Sequence, residues 1–544
     1  MKQVHFPEPV RTESSTIVDT RTTNLSNALF QTALRNADGR AIVRGERTWS
    51  WAHLSERVKS LANTMRADGI GAGSVVLLHS PNCMDYLTVM FAAWRVGAVI
   101  VPTNSKLLPG ELQPLVNVVN PSLCIVHSTL SNYASVFTEG VIWEIDDDEV
   151  DPTFGKRSVI GAIESGALLT DEGEAPVAPG TPAWYFFTSG SSGRPKAAVL
   201  THDQLAFVLT NHHCDLMPDL RPEDATLVLA PLSHGAGVHV LTHISRGAAT
   251  ILPEVNENVM ENAWHLIEKH EVTTLFTVPT ILNRLVERFN IEKVSRNNLK
   301  YVVYAGAPIT LKDQKAALDA LGPVLVQYYG LCEVPGNITV LPTWMHGFPP
   351  DSNGIGTAGF PRTGTTVTIQ DSNGVIVPDG TRGEICVCGP AVFPGYLNND
   401  AANSAAFRNG WFRTGDLGYL DPRGFLFITG RASDMFISGG SNVDPREVEE
   451  SLLRHPDVAQ VGIVAAPDPT WGEVGFALCV LQPESNLTDD ELIDWCRSNM
   501  ARYKAPKRVI FVDALPTSAY GKVTTPLLRA KIQELGFWPS PAVD

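Results

Sequence analysis

The sequence predicts an α/β protein with a large N-terminal domain, made of two parallel-type αβ subdomains and a small β unit, and a small mobile α+β domain after it. Three observations predict this class. Amphipathic helical patterns alternate with short apolar strand-like runs, turn residues become frequent after about residue 354, and a further α/β segment follows residue 431. With 544 residues the chain is long enough for several folding units, and we place the domain boundaries at 1–431 and 432–544.

The first part of the chain alternates helices and buried strands. Helices are predicted over 25–34 and 52–65, and strands over 75–79 and 98–102. The same rhythm returns in strands predicted at 226–230, 250–252, 273–278, 301–304 and 324–327. Loops with small or polar residues follow these strands. Because ligand sites of parallel sheets lie at the carboxyl ends of the strands, these loops are the expected place for the site.

The later segments predict a small antiparallel unit and then a separate α/β domain. Strands are expected at 366–370, 383–387 and 425–429, and two cysteines of this unit, Cys386 and Cys388, are predicted to be buried strand thiols. A helix should begin at Asp444 as its cap, with Pro445 in the first turn. The remaining elements are predicted as strands at 461–465, 476–481 and 508–512 and a helix at 489–500.

Charge and composition exclude several classes of protein. The net charge is −16, with 42 basic and 58 acidic residues and no lysine- and arginine-rich run, so a nucleic-acid partner is not expected. The eight cysteines are scattered and suggest no disulfide framework. The N-terminus lacks an apolar leader, and Arg95 and Gly97 interrupt the longest apolar stretch. We therefore expect a cytoplasmic protein without a membrane partner.

One loop has the composition of a phosphate site. Segment 185–196 reads Tyr-Phe-Phe-Thr-Ser-Gly-Ser-Ser-Gly-Arg-Pro-Lys, which presents backbone N–H groups, hydroxyls and a lysine after a strand. The ATPase phosphate loop instead needs Gly-Lys-Ser/Thr at the start of a helix. Here Pro195 precedes Lys196, and the residues that follow look extended. The loop is thus a nucleotide site of another kind, or a surface turn.

Its companions favour the first interpretation. In the same order as in the adenylate-forming superfamily, which includes acyl-CoA synthetases, the chain shows segments that resemble the family's motifs: 185–196, Tyr-Tyr-Gly-Leu-Cys-Glu at 328–333, Trp-Phe-Arg-Thr-Gly-Asp at 411–416, Gly-Arg at 430–431 with 438–449, and Pro-Thr-Ser-Ala-Tyr-Gly-Lys at 516–522. The resemblance extends over about residues 24–529. It implies an acid–thiol ligase that uses ATP, Mg²⁺ and coenzyme A.

The resemblance also implies site residues. Glu333, with Thr188, would bind Mg²⁺. Residues that would contact the nucleotide or coenzyme A are Thr188, Ser189, Gly190, Ser191, Ser192, Gly193, Lys196, Gly306, Ala307, Pro308, Tyr328, Tyr329, Gly330, Cys332, Asp416, Ile428, Arg431, Gly439 and Gly440. Among these, Tyr329 would stack on adenine, Asp416 would accept the ribose hydroxyls, and Gly439 and Gly440 would flank the pantetheine channel.

Catalysis and acid binding are assigned in the same way. Lys522 would bridge the attacking carboxylate and the α-phosphate, which requires the second domain to close by a hinge near Arg431. His234, in the loop 231–237, would gate the acid pocket or orient the carboxylate. Amino-acid-activating relatives carry an aspartate after this loop, whereas 237–244 here contains no acid. A small carboxylic acid without an α-amine is therefore the expected substrate.

Three alternatives remain open at this stage. The chain could be a ligase that only converts preformed acyl-adenylate into thioester, an acyl-AMP ligase that loads a carrier protein, or a non-catalytic nucleotide-binding protein. The presence of both Glu333 and Lys522 opposes the last of these, because a binder has no need of a lysine from a second domain. A homodimer is compatible with the resemblance.

Overall fold

The computed structural model describes residues 22–137, 141–146, 157–189, 195–254, 259–292, 298–351, 355–438, 441–518 and 523–539. Its strands are β1 Arg40–Arg44, β2 Arg47–Ser50, β3 Val75–His79, β4 Val99–Thr103, β5 Leu123–His127, β6 Val141–Ile145, β7 Arg157–Ser158, β8 Pro182–Ser189, β9 Pro195–Thr201, β10 Ala225–Val228, β11 Ala249–Leu252, β12 Thr274–Thr277, β13 Tyr301–Tyr304, β14 Leu325–Leu331, β15 Val334–Leu341, β16 Phe360–Pro361, β17 Thr366–Gln370, β18 Gly383–Cys388, β19 Phe407–Arg408, β20 Trp411–Leu420, β21 Leu426–Arg431, β22 Phe436–Ser438, β23 Ser441–Val443, β24 Val458–Asp468, β25 Gly472–Leu481 and β26 Arg508–Phe511.

The α-helices of the described residues are α1 Asn27–Arg35, α2 Trp51–Ala67, α3 Asp85–Arg95, α4 Pro109–Val119, α5 Val159–Ala167, α6 His202–Asp215, α7 Gly235–Arg246, α8 Val259–Lys269, α9 Pro279–Glu292, α10 Leu311–Leu321, α11 Asp400–Ala406, α12 Pro445–Leu452, α13 Asp489–Asn499 and α14 Thr525–Glu534. None of them is long and apolar enough to cross a membrane.

Two large sheets form the body of the protein, and both are mainly parallel. The nine-stranded sheet has the order β16-β15-β14-β13-β12-β10-β11-β1-β2, and the seven-stranded sheet has the order β7-β6-β5-β3-β4-β8-β9. Antiparallel pairs occur at the sheet margins, as between β8 and β9 and between β14 and β15. The predicted strand–helix alternation is confirmed, and helices pack on the sheets because parallel strands need crossover connections.

A third sheet is the predicted antiparallel β unit. It has the order β17-β18-β20-β19, with β21 paired to β20. Cys386 is buried in β18, as predicted, but the prediction for Cys388 is wrong because its side chain is exposed. Cys388 is the last residue of β18 and so lies at the margin of the sheet. The β unit matters for the site because it supplies β20 and β21.

The fourth sheet, β23-β22-β25-β24 with β26 beside β25, is built from residues after 435. Helix α12 begins as predicted, since the Asp444 side chain accepts a hydrogen bond from the Arg446 backbone N–H (3.0 Å). The same carboxylate accepts a hydrogen bond from the Arg382 guanidinium of the β unit. This ion pair joins the fourth sheet to the preceding part of the chain. The domain boundary at 431/432 stays a prediction.

Glu449 gives this last segment a pH-dependent stability. Its carboxylate accepts a hydrogen bond from the Ile463 backbone N–H of β24 (2.9 Å), and burial raises its pKa from 4.5 to about 7. The folded protein therefore holds this proton more tightly than the unfolded chain does. The stabilisation is present below pH 4.5 and is lost as the pH rises through about 7.

We expect Glu449→Gln to increase the protection of β24 amides by about tenfold over wild type at pH 8, because the neutral amide avoids burying a charge. At pH 4.5 the two proteins should agree within about twofold, because the wild-type carboxyl is then protonated. Native-state hydrogen exchange of variant against wild type at each pH measures this difference, with the exposed site Glu534→Gln as control. An equal gain at both pH values contradicts the assignment.

Candidate active site

The glycine- and serine-rich loop connects two antiparallel strands. Thr188 on β8 is paired with Lys196 on β9, so the two side chains are neighbours at the loop end of the hairpin. The extended conformation predicted after Lys196 is confirmed by β9. Of the residues assigned to the loop, Gly190, Ser191, Ser192 and Gly193 lie outside the described residues, as does the side chain of Ser189.

A segment of the β unit runs along β9 and brings a tyrosine to this hairpin. The Val199 N–H donates to the Gly395 carbonyl (3.0 Å), and the Leu397 N–H donates to the Ala197 carbonyl (2.9 Å). Between them lies Tyr396, whose ring centroid is 5.2 Å from the ammonium nitrogen of Lys196. That distance is within the range of a cation–π contact.

Tyr396 also binds the candidate metal ligand. Its hydroxyl donates to Oε1 of Glu333 (2.7 Å), a residue that is only 8% exposed. The Glu333 carbonyl accepts the Phe393 N–H (2.8 Å), and the Gln204 side-chain amide of α6 donates to the Ala391 carbonyl of the same segment (2.7 Å). Lys196 and Glu333, which are far apart in sequence, are thus brought together through one tyrosine.

A second buried carboxylate has the same kind of support. Asp416 on β20 is 4% exposed, and its Oδ2 accepts a hydrogen bond from the Tyr329 hydroxyl (2.5 Å). Its Oδ1 accepts one from Nε of Arg431 (2.9 Å), the residue opposite it on β21. Gly415 precedes Asp416 with a φ of 73°, a conformation that favours glycine. Three of the predicted nucleotide residues therefore form one hydrogen-bonded group.

Burial and charge act against each other in this group. Burial raises the pKa of Asp416, whereas the Arg431 guanidinium and the Tyr329 hydroxyl oppose that rise. Asp416 in turn raises the pKa of Arg431. Burial and the two carboxylates also raise the pKa values of Tyr329 and Tyr396, so both phenols keep their protons and act as donors.

Aromatic side chains lie beside the loop that precedes α7. The hydroxyl of Tyr328 points toward Gly235, where a Cβ would stand 3.8 Å from it and 3.0 Å from the Phe276 ring. Tyr328 and Phe276 are stacked with ring centroids 6.0 Å apart. His234 contacts the edge of Phe186 and forms a hydrogen bond with the Ser233 hydroxyl (2.9 Å). A side chain at position 235 would crowd the Phe276 ring, so glycine here allows the start of α7 to pack closely against that ring.

The remaining predicted site residues lie at turns, against the core, or outside the described residues. Gly330 lies where the β14–β15 hairpin is tightest, since a Cβ there would stand 2.6 Å from the Gly336 nitrogen. Gly306 follows β13 with a φ of 84°, with Ala307 and Pro308 after it. Cys332 and Ile428 are partly buried and pack against the main core. Lys522, Gly439 and Gly440 lie outside the described residues.

Sequence reasoning missed Tyr396 and Gln204. Tyr396 had one weak signal, a Pro-Gly dipeptide directly before an aromatic residue. Gln204 had the signal of a helix start, because it forms a capping box with Thr201 at the beginning of α6. Neither signal indicates a functional site by itself, because it does not show which distant segments of the chain come into contact.

The arrangement fits an anionic ligand whose own oxygen atoms would complete the coordination of a metal ion. Within the described ranges no group of three or more His, Cys, Asp or Glu side chains could hold a metal ion. Glu333 supplies one hard carboxylate, its partner Tyr396 also contacts the Lys196 ammonium group, and Thr188 is paired with Lys196 across the hairpin. Mg²⁺ commonly takes one or two protein carboxylates and completes its shell with phosphate oxygens and water, so the donors present suit it.

Comparison with known proteins gives a consistent result. The chain matches the AMP-binding enzyme family over residues 29–397 and the C-terminal domain of AMP-binding enzymes over 447–522. It is 33% identical to a feruloyl-CoA synthase of Amycolatopsis sp., covering 89% of this chain and 94% of the relative. It is 32% identical to an indoleacetate–CoA ligase of Aromatoleum aromaticum, covering 88% and 92%.

A solved structure agrees over nearly the whole chain. It is the o-succinylbenzoate coenzyme A synthetase of Bacillus subtilis in complex with AMP, with a TM-score of 0.78 and 27% identity, covering 92% of this chain and 98% of that one. The fold prediction of an α/β protein with a large N-terminal and a small C-terminal part is confirmed by this likeness.

We predict that Tyr329→Phe lowers the free energy of unfolding by about 1–3 kcal/mol, because a buried carboxylate loses a donor. In an Asp416→Asn background the same substitution should cost clearly less. A double-mutant cycle of chemical unfolding separates this coupling from lost packing of the ring. Equal costs in both backgrounds would show that the Tyr329–Asp416 hydrogen bond does not stabilise the site.

Proposed function

This chain belongs to the AMP-binding enzyme family, and we propose that its substrate is an aromatic carboxylic acid without an α-amine. It is an AMP-forming acid–thiol ligase that activates a carboxylic acid with ATP as an acyl-adenylate and transfers the acyl group to coenzyme A. The identity of the acid and the roles of individual residues are the proposal.

One observation is the main support for an aromatic acid as the substrate. The wall formed by the start of α7 and by β12 and β14 is aromatic and uncharged, with Phe276 stacked on Tyr328 beside Gly235. Helix α7 and strands β12 and β14, which form this wall, contain no acidic residue that could pair with a substrate ammonium group. The names of the relatives agree, since ferulate and indoleacetate are aromatic acids. An aromatic body would stack on these rings with its carboxylate toward the loop of His234.

We assign the nucleotide to the two buried carboxylates. Asp416 has two oxygens that can accept both ribose hydroxyls, and Arg431, more than half exposed, can turn its remaining N–H groups toward the same ligand. The flat face of Tyr329 suits adenine, because its hydroxyl is already fixed by Asp416. The nucleotide would thus meet a preorganised group of donors and acceptors.

At the phosphate end, we assign Lys196 and Thr188, with the glycine- and serine-rich loop between them, to the binding of pyrophosphate. Glu333, with Thr188, would hold Mg²⁺, which when bound neutralises phosphate charge. Tyr396 keeps the Glu333 carboxylate oriented by its hydrogen bond. Lys196 near the Tyr396 ring is held at the mouth of the loop without an ion pair to Glu333, so its charge stays available for the phosphates.

The chemistry proceeds in two displacements. An oxygen of the substrate carboxylate attacks the α-phosphorus of ATP, and the bond to pyrophosphate breaks. The thiol of coenzyme A then loses its proton and attacks the acyl carbon, and AMP leaves with the electron pair of the broken C–O bond. We propose that Lys522 stabilises the charge that develops in the first step, and that Gly439 and Gly440 flank the path of the thiol in the second.

The first step uses ATP and the second uses coenzyme A, so the site has to be completed differently in each step. This need favours a movement of the C-terminal part between the two steps. We propose that residues 432–544 form a domain that turns near Arg431 relative to 1–431. The contact between Arg382 and Asp444 joins these two parts in the arrangement described, and a turn would have to break it. A cytoplasmic location, a homodimer and the lack of nucleic-acid or membrane partners stay predictions.

A three-part assay tests the proposal. With ATP, Mg²⁺, coenzyme A and a panel of aromatic, short-chain and long-chain acids, we expect acyl-CoA and pyrophosphate chiefly from the aromatic acids. The second arm supplies synthetic acyl-adenylate and coenzyme A; if acyl-CoA forms in this arm and not from ATP and the free acid, the protein catalyses thioester formation only. The third arm replaces coenzyme A with a holo carrier protein; product in this arm but not with free coenzyme A would indicate a carrier-loading enzyme. ATP binding without turnover of any acid would contradict the ligase function.

We predict that Lys522→Ala lowers ATP–pyrophosphate exchange by about 100-fold or more, because a preorganised cation is lost from the charge-developing centre. Thioester formation from synthetic acyl-adenylate should fall by less than about tenfold, since that step does not form the charge that this lysine would stabilise. Lys504→Ala, a lysine paired with Glu447 in the same part of the chain, is the control. Exchange at the wild-type rate would remove Lys522 from the mechanism.

A further inference from the structure

Asn403 on α11 binds both backbone polar groups of Tyr396. Its Oδ1 accepts a hydrogen bond from the Tyr396 N–H (2.6 Å), and its Nδ2 donates to the Tyr396 carbonyl (3.1 Å). One side-chain amide therefore satisfies the donor and the acceptor of one residue. In this respect Asn403 takes the place of a neighbouring β-strand.

The segment around Tyr396 is bound on its two edges by different elements. Tyr396 forms an antiparallel bridge with Ala198 of β9, and the hydrogen bonds to β9 come from the flanking residues Gly395 and Leu397. In an antiparallel pair, the backbone groups of the residue between two such bonds point away from the partner strand. Asn403 binds these outward groups, so β9 and Asn403 together fix the Tyr396 backbone from both sides.

The local sequence is adapted to this contact. Gly395 has a φ of 147°, a conformation that favours glycine, and a Cβ there would stand 2.8 Å from Oδ1 of Asn403. A larger residue at position 395 would therefore displace the amide. Asn403 itself lies inside α11 although asparagine is a poor helix former. Its two hydrogen bonds to Tyr396 offset that cost.

Through Tyr396 this contact reaches the candidate metal ligand. The Tyr396 hydroxyl donates to Oε1 of Glu333 (2.7 Å). The Glu333 backbone is held separately, since its carbonyl accepts the Phe393 N–H (2.8 Å), so the hydroxyl acts on the carboxylate. A tyrosine side chain is a rigid ring on two torsion angles, so the place of its hydroxyl follows the orientation of its backbone. A tilt of the Tyr396 backbone would move the hydroxyl away from Glu333.

The orientation of the carboxylate matters for metal binding. A hydroxyl on Oε1 fixes the plane of the Glu333 carboxylate and leaves Oε2 for Mg²⁺. Replacing a group that hydrogen-bonds to a metal ligand commonly lowers metal affinity by about 10–100-fold. Asn403 acts one contact further from the metal, so its effect should be smaller than that of Tyr396.

We propose that Asn403 is a positioning residue that, through Tyr396, orients the Glu333 carboxylate for Mg²⁺. The inference rests on the proposed assignment of Glu333 to metal binding. It adds to the site a residue of α11, which lies outside every sequence motif assigned to the nucleotide.

The test measures binding and not turnover. The probe is α,β-methylene-ATP, in which a methylene group replaces the oxygen that would leave with pyrophosphate. Its dissociation constant, measured by calorimetry with saturating Mg²⁺ and again in EDTA, gives the gain in affinity that the metal provides. An unfolded fraction lowers the number of binding sites and leaves the dissociation constant unchanged, so poor folding of a variant does not obscure the result.

We expect the gain to fall by about tenfold in Tyr396→Phe and by about three- to fivefold in Asn403→Leu. Leucine is similar in size to asparagine and is a better helix former, so α11 should persist. In the Tyr396→Phe background, Asn403→Leu should change the gain by less than about twofold, because the hydroxyl that Asn403 positions is absent. Ser404→Ala, at the exposed neighbouring position of α11, is the matched control and should keep the wild-type gain.

The outcomes separate this inference from the proposed function. If Glu333→Gln abolishes the gain and Asn403→Leu leaves it unchanged, the role of Asn403 is overturned while the metal assignment stands. If Glu333→Gln keeps the wild-type gain, both are overturned. Equal losses from Asn403→Leu with and without the Tyr396 hydroxyl would show an effect that does not pass through Tyr396, and would also contradict the assignment.

Discussion

The candidate active site depends on keeping two carboxylates, Glu333 and Asp416, in a largely buried environment. Burying a charge is costly unless donors replace the lost water. Here each carboxylate receives the hydroxyl of a tyrosine, Tyr396 for Glu333 and Tyr329 for Asp416. A cation accompanies each pair, as Lys196 beside the Tyr396 ring and as Arg431 against Asp416. The two ends of a nucleotide, its phosphates and its ribose, match these two groups.

This constraint explains why three sheets meet at one place. Glu333 and Tyr329 come from the β14–β15 hairpin of the nine-stranded sheet, Lys196 from the seven-stranded sheet, and Asp416 and Arg431 from the β unit. The Glu333–Tyr396 and Tyr329–Asp416 hydrogen bonds join residues 63 and 87 positions apart in the chain. The site therefore forms only when the tertiary structure does.

The sequence was a good guide to elements and a partial guide to the site. Strands such as Tyr301–Tyr304 and Thr366–Gln370 were predicted with their observed bounds, since apolar β-branched and aromatic runs between turn residues leave little ambiguity. Asp416, Tyr329 and Arg431 were assigned through the resemblance, and the structure joins them. Tyr396 could not be found, because its importance comes from its contacts with Glu333 and Lys196, which only the folded chain defines. The thiol of Cys388 was misplaced because alternation along a strand does not tell where its packed face ends.

Crystals of the protein with ATP and Mn²⁺ in place of Mg²⁺ provide the most direct measurement, since the anomalous signal of manganese locates the metal independently of the nucleotide. The account predicts an anomalous peak bonded to the Glu333 carboxylate, with Tyr396 still on its other side, and ribose hydroxyls on Asp416. A peak away from Glu333, or a ribose that does not contact Asp416, would contradict the claim that these two carboxylates hold the nucleotide.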